Sequence, residues 1–135
     1  MASFLFKTEP SQYAFGDLVR DGKTVWSGIK NPTALIHLRS VRKGDTVVIY
    51  HSGKDRAAVG LASAASDPYA DPELGDPRLV VVDLKPARPF KRAVPIAKFR
   101  ADATLKTTEL IRITRLSVMP LNAAQLKRVL ALAEV

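Results

Sequence analysis

The chain contains no cysteine and only two histidines, His37 and His51, among 135 residues. The first absence removes thiolate nucleophiles, disulfides and cysteine zinc sites. The histidines stand fourteen residues apart without clustered acids, so they offer no metal-ligand spacing. Glycine-rich phosphate loops of either usual spacing are missing, which leaves nucleotide hydrolysis and dinucleotide binding without a backbone cradle. There is no Gly-x-Ser-x-Gly elbow, and adjacent His51 and Ser52 would point oppositely on an extended strand. No cofactor is implied, and the sequence reads as that of a protein that binds rather than catalyses. Apolar runs stop well short of the roughly 20 residues that cross a bilayer. Met1 to Phe6 lacks a basic leader followed by a long apolar run, so we expect no signal peptide and a cytoplasmic location.

What is abundant is positive charge. Twenty-one Lys and Arg oppose thirteen acids, a net charge of +8. Six of the bases, Lys85, Arg88, Lys91, Arg92, Lys98 and Arg100, fall in one stretch that holds no acid. Such a field favours polyanions, and nucleic acid is the commonest inside cells, which makes these residues candidates for phosphate contacts. A solvated surface that keeps the protein soluble accounts for the same charges.

Length and apolar content, 47% of residues, suit a single domain over 1–135. Ser3–Lys7 and Thr24–Trp26 read as short strands, and Phe15–Arg20 as a short helix that Ala14 caps poorly. Asn31 and Pro32 start a better helix, with Ala34, Leu35, Leu38 and Val41 as its buried stripe and His37 on its exposed side. Thr46–Tyr50 is continuously apolar and β-branched, as a central strand covered on both faces would be. Ala57–Ala62 and Leu79–Leu84 look similar, and three Asp-Pro pairs between them mark an acidic loop. Pro95–Arg100 reads as a helix and Ile113–Met119 as a strand that Pro120 stops. Asn122 caps a last helix, with Leu126, Val129, Leu130 and Ala133 on one face. Strands mixed irregularly with short helices predict an α+β domain on a mixed, barrel-like sheet.

Several polar residues end these strands: Lys7, Thr8 and Glu9 after the first, Trp26 and Gly28 after the second, His51 and Ser52 after the central one. Were those ends to converge, Trp26 would offer a stacking face and Gly28 a close backbone approach. Ser52, Thr8 and Asn31 would then hydrogen-bond a base edge. Each has a plainer use as well. Trp26 serves as packing, Asn31 as a helix cap, Ser52 as the start of a turn, and Glu9 as a partner for Lys7 or Arg115.

Taken together, Phe6-Lys7-Thr8-Glu9-Pro10-Ser11, Trp26-x-Gly28-x-x-Asn31, Gly44-Asp45 leading to Tyr50-His51-Ser52, Val59-Gly60 and Arg115-Leu116-Ser117-Val118-x-Pro120 resemble the EVE domain family in order and spacing. The resemblance covers essentially the whole chain. It implies a PUA-like mixed β-barrel flanked by short helices, and a non-enzymatic reader of a modified base. Modified cytosine in DNA, such as 5-methylcytosine, is the first expectation and modified or structured RNA the second. The pocket it implies contains Thr8, Glu9, Trp26, Gly28, Asn31 and Ser52, with Lys7 and His51 at the rim. Many members carry Tyr-Gln-Ala-Arg where this chain has Pro32-Thr33-Ala34-Leu35, so an aromatic and a cation beside the proposed pocket are absent here. A small-molecule-binding protein or a hydrolase acting through His51 is the competing class.

Overall fold

The computed structural model describes residues 1–135. Its strands are β1 (Ser3–Thr8), β2 (Thr24–Trp26), β3 (Thr46–His51), β4 (Ala57–Ala64), β5 (Tyr69–Ala70), β6 (Val80–Pro95) and β7 (Val118–Leu121). They form one mixed sheet in the order β2-β6-β4-β3-β1-β7, with β5 paired to β6. The helices are α1 (Phe15–Asp21), α2 (Pro32–Arg39), α3 (Ile96–Ala101), α4 (Glu109–Arg112) and α5 (Ala123–Ala133), with a 3-10 turn at Leu105–Thr107.

Strands β1 and β3 run parallel, Ser3 against Thr46 through Thr8 against His51. Parallel neighbours need a long crossover, and here it carries α1, β2 and α2. β3 is buried along nearly its whole length, as its apolar run predicts. The sheet curls because β6 is sixteen residues long and its pairing with β4 shifts register twice, between Ala58 and Gly60 and between Leu61 and Ala62. Bulges bend and twist the strand that carries them. The first part of β6 pairs with β2, and the rest follows β4. Consequently Phe6 on β1 and Trp26 on β2, with three strands between them in the sheet order, bring their rings to 5.8 Å. The sheet is thus a curled half-barrel with its core inside the curl. Phe15 at the start of α1 fills that space against Gly60, where an added Cβ would stand 2.5 Å from the ring.

Helix α2 starts as the sequence dictates, with the Asn31 side chain accepting from Ala34 N at 3.0 Å. Its stripe of Ala34, Leu35, Leu38 and Val41 is buried, whereas His37 is half-buried rather than exposed. Helix α5 begins with a reciprocal cap between Asn122 and Gln125. Val129 and Ala133 are buried, Leu126 and Leu130 half-buried, and Gln125 takes a buried place by donating to Thr107 Oγ1.

The strand expected over Ile113–Met119 begins only at Val118, and Pro120 lies inside it rather than ending it. β7 is an edge strand paired with β1 alone, so the missing N–H of Pro120 costs no ladder bond on the far side. Residues 113–117 instead flank the end of β1, where Ser117 O accepts from Lys7 N. The acidic Asp-Pro loop contains the two-residue strand β5.

Candidate binding site

At Pro10 the chain leaves β1 and turns back on itself. Glu9 O accepts from both Gln12 N and Tyr13 N at 2.9 Å, and the Thr8 hydroxyl donates to Tyr13 O at 2.6 Å. The Glu9 carboxylate closes the turn from outside: its Oε2 accepts from Ser11 N at 2.8 Å and from the Ser11 hydroxyl. This knot sets Tyr13 edge-on to Trp26, with ring centroids 6.2 Å apart. Between it and the end of β2 lies a cleft of about 340 Å³, a size typical of small-ligand sites, roughly 300–1,000 Å³. Lys7, Thr8, Glu9, Gln12 and Ser27 supply its polar lining, and Tyr13, Trp26, Val25 and Ile29 its apolar side.

The ends of β1 and β2 therefore converge, and Thr8, Glu9 and Trp26 meet in one cleft. Lys7 lines it too, with its ammonium donating to Thr114 O at 2.8 Å. Partial burial holds this amine below its ordinary value, since an apolar surround disfavours the charged form. Glu9 pairs with neither Lys7 nor Arg115 but turns onto Ser11. Trp26 is 8% exposed and belongs to the core, packed between Phe6 and Tyr13. It presents the cleft with a narrow face rather than an open platform.

The other expected members lie outside the lining. Gly28 has a φ of +82°, a conformation natural to glycine, and it shapes the loop between the lining residues Ser27 and Ile29. Asn31 is occupied as the cap of α2. Ser52 sits behind Thr8, to whose carbonyl its N–H donates. His51 is buried, not at the rim: Nε2 accepts from Phe15 N at 3.0 Å, and Nδ1 faces Asp55 Oδ2 at 3.2 Å. These contacts require an unprotonated Nε2 and assign the N–H to Nδ1. Both ring nitrogens are engaged, so His51 faces no cleft as a base. Pro32 and Leu35, where the chain departs from the family pattern, line a separate surface hollow.

Residue-by-residue reading of the sequence misses Gln12 and Tyr13, which reach the cleft only through the turn at Pro10. It also misses Gly53, which looks like a hairpin residue and nothing more. Gly53 has a φ of +75°, and an added Cβ would stand 2.8 Å from Glu9 Oε1. The turn after β3 thus backs the Glu9 carboxylate.

All six bases of the Lys85–Arg100 stretch are exposed, and none lines the cleft. Lys85 and Arg88 lie opposite Ser63 and Leu61 on β6, while Lys98 and Arg100 sit on α3. Lys91 and Arg92 occupy the bulge between, and Arg92 is paired with Glu134 at 2.5 Å.

A curled mixed half-barrel with short helices around it defines the PUA-like class of folds. The ASCH protein of Zymomonas mobilis shares it with a TM-score of 0.62 at 12% identity, covering 96% of this chain and 94% of that one, a likeness in fold alone. Within that class, the family model of the EVE domain matches residues 2–132, and the chain belongs to the EVE domain family. Thymocyte nuclear protein 1 of Homo sapiens is 26% identical over 165 residues, which cover 97% of this chain and 73% of the relative. The crystal structure of human THYN1 in complex with 5-methylcytosine-containing DNA is similar with a TM-score of 0.91 and 25% identity, covering 100% and 99% of the two chains. Rpa0253 of Rhodopseudomonas palustris is similar with a TM-score of 0.94 and 32% identity, covering 99% of this chain and 94% of that one.

Proposed function

We propose that this protein is a non-enzymatic reader of modified cytosine in DNA that receives the base, flipped out of the duplex, in the cleft between Thr8–Tyr13 and Trp26. The observation that carries this reading is the meeting of an acceptor carboxylate, Glu9, with the aromatic pair Tyr13 and Trp26 in one small-ligand cleft. It is supported by the fold shared with human THYN1, crystallised with 5-methylcytosine-containing DNA.

The chemistry of the lining suits cytosine. An ionised carboxylate only accepts hydrogen bonds, and the exocyclic amine of cytosine donates them, whereas thymine carries a carbonyl there. Glu9 Oε2 is held by Ser11, which leaves Oε1 to take the amine. Tyr13, Val25, Trp26 and Ile29 provide the apolar contact that a methyl group on the ring needs. Unstacking a base costs a few kcal/mol, and the narrow Trp26 face returns only part of the roughly 1–3 kcal/mol per base of full stacking, so phosphate contacts must contribute the remainder. Affinity then falls steeply with salt.

The test is titration at moderate salt of duplexes with methylated, hydroxymethylated or plain cytosine, alongside RNA of the same sequence. We expect the modified DNA to bind tightest, and Glu9→Gln to erase its advantage while leaving the affinity for plain DNA in place. Equal affinity for plain and modified DNA would sink the modified-base reading, and a preference for RNA would replace it with the RNA one.

A further inference from the structure

The turn that backs Glu9 ends at Arg56, whose backbone is unusual. Its φ of +42° lies in the left-handed region, which side chains other than Gly, Asn and Asp rarely adopt. Such a conformation persists where neighbours fix it, and it gathers at functional positions. Here the Arg56 carbonyl accepts from Ile96 N at 2.8 Å, tying the turn to the first residue of α3. The same helix sets Phe99 edge-on to Tyr50, at 6.4 Å and 90°, and presents Arg100 next along the chain. Tyr50 is 2% exposed, and its hydroxyl has no partner in the protein although it is not sealed from solvent. Both guanidinium charges act on that phenol, each opposing the upward effect of burial on its ionisation. Neither arginine pairs with an acid, and the acid beside Arg56, Asp55, is turned to His51. The Arg56–Ile96 bond and the Tyr50–Phe99 contact thus gather two arginines without an acidic partner and an unused O–H about helix α3.

We infer that Arg56, Arg100 and the Tyr50 hydroxyl form a phosphate-binding site that grips the sugar–phosphate backbone beside the cleft. The guanidinium fork matches phosphate oxygens, and a phenol donates to the same group. The inference rests on the base-reading proposal only for its biological setting. The turn from Ser52 to Arg56 spans the two places, abutting Glu9 at Gly53 and α3 at Arg56. Of the six bases in the Lys85–Arg100 stretch, it singles out Arg100 and adds Arg56, which lies outside that stretch.

The test measures affinity for plain and methylated duplexes over a salt series, in the native protein, Arg56→Gln, Arg100→Gln, the double variant, Tyr50→Phe and a Lys85→Gln/Arg88→Gln control. Each clamp arginine removed should lower the slope of log K against log salt by about one, equally for both duplexes. Tyr50→Phe should weaken binding several-fold with the slope unchanged, and its melting temperature checks that the ring still packs. A slope unaltered in the double variant would overturn the clamp, as would a native protein that binds neither duplex. Equal binding of methylated and plain DNA, with the slope still dependent on Arg56 and Arg100, would overturn the base-reading proposal and leave the clamp standing. In a parallel arm, inorganic phosphate and DNA are titrated while the two arginine Nε–H resonances are followed. Shifts with phosphate but not with DNA would make this a free-phosphate site and refute the backbone assignment.

Discussion

Gly53 is held by two independent constraints, a positive φ and the Glu9 carboxylate against its open side. Gly53→Ala should therefore cost about 1–2 kcal/mol through the left-handed backbone alone and also push Glu9 out of place. We expect a modest fall in denaturation midpoint together with loss of discrimination between methylated and plain DNA. Full discrimination at lowered stability would separate Gly53 from the cleft. Trp26 behaves differently, because most of its ring is spent on Phe6 and Tyr13. Trp26→Ala should lose about 3–5 kcal/mol of stability, as large aromatic deletions from cores do, whereas Trp26→Phe should retain most of it. Chemical denaturation of the two variants compares them. Of the cleft residues, Thr8, Glu9 and Trp26 are legible in the sequence because they end apolar runs, where strands stop and side chains meet. Gln12 and Tyr13 are not, because their position depends on two hydrogen bonds to Glu9 O that no periodicity records. Asn31 is legible in its plainer role: its side-chain oxygen caps α2 through Ala34 N, and the residue lies outside the cleft lining.

At the scale of elements, caps and apolar stripes carry over well, as α2 and α5 do from Asn31 and Asn122. Helix α1 is the instructive exception. Its cap residue, Ala14, has no side-chain acceptor, and the helix is held instead by Asp17 accepting from Ala14 N and by the imidazole of His51 accepting from Phe15 N. That second bond spans 36 residues, which is why His51 looks like a surface candidate in the sequence and proves to be an internal brace. The extent of β7 past Met119 is obscured by Pro120, since a proline reads as a strand stop until the strand is known to lie at an edge. Helices α3 and α5 are joined by Asp102, whose carboxylate accepts from Arg128 Nε at 2.5 Å and from Thr104 N and Leu105 N. The arginine, and then these backbone donors, hold the Asp102 carboxyl below its ordinary value. Because the folded chain binds this proton less readily than the unfolded one, the contribution is present above the ordinary carboxylate pKa of about 4 and is lost as pH falls through the folded value. The melting temperature of Arg128→Gln should therefore lie below that of the native protein near neutral pH, and the gap should narrow below about pH 4. A gap independent of pH would contradict the link.

For the whole molecule, the mixed sheet follows from the irregular order of strands and helices, but its curl does not. The curl comes from two register shifts along one sixteen-residue strand, of which the apolar run Leu79–Leu84 marks only the first residues. The same curl brings β1 and β2 together and so creates the cleft. It also changes the meaning of the net charge, because none of the bases on β6 and α3 lines the cleft, so the stretch cannot by itself select a base. The chain has a single tryptophan, and that residue lines the cleft, so its fluorescence reports on the site directly. The measurement that bears most closely on the account is Trp26 emission during titration with methylated and plain duplexes at concentrations that saturate both. The account predicts a change in emission with methylated DNA that plain DNA does not reproduce; binding of both duplexes with the same Trp26 response, or with none, would contradict it.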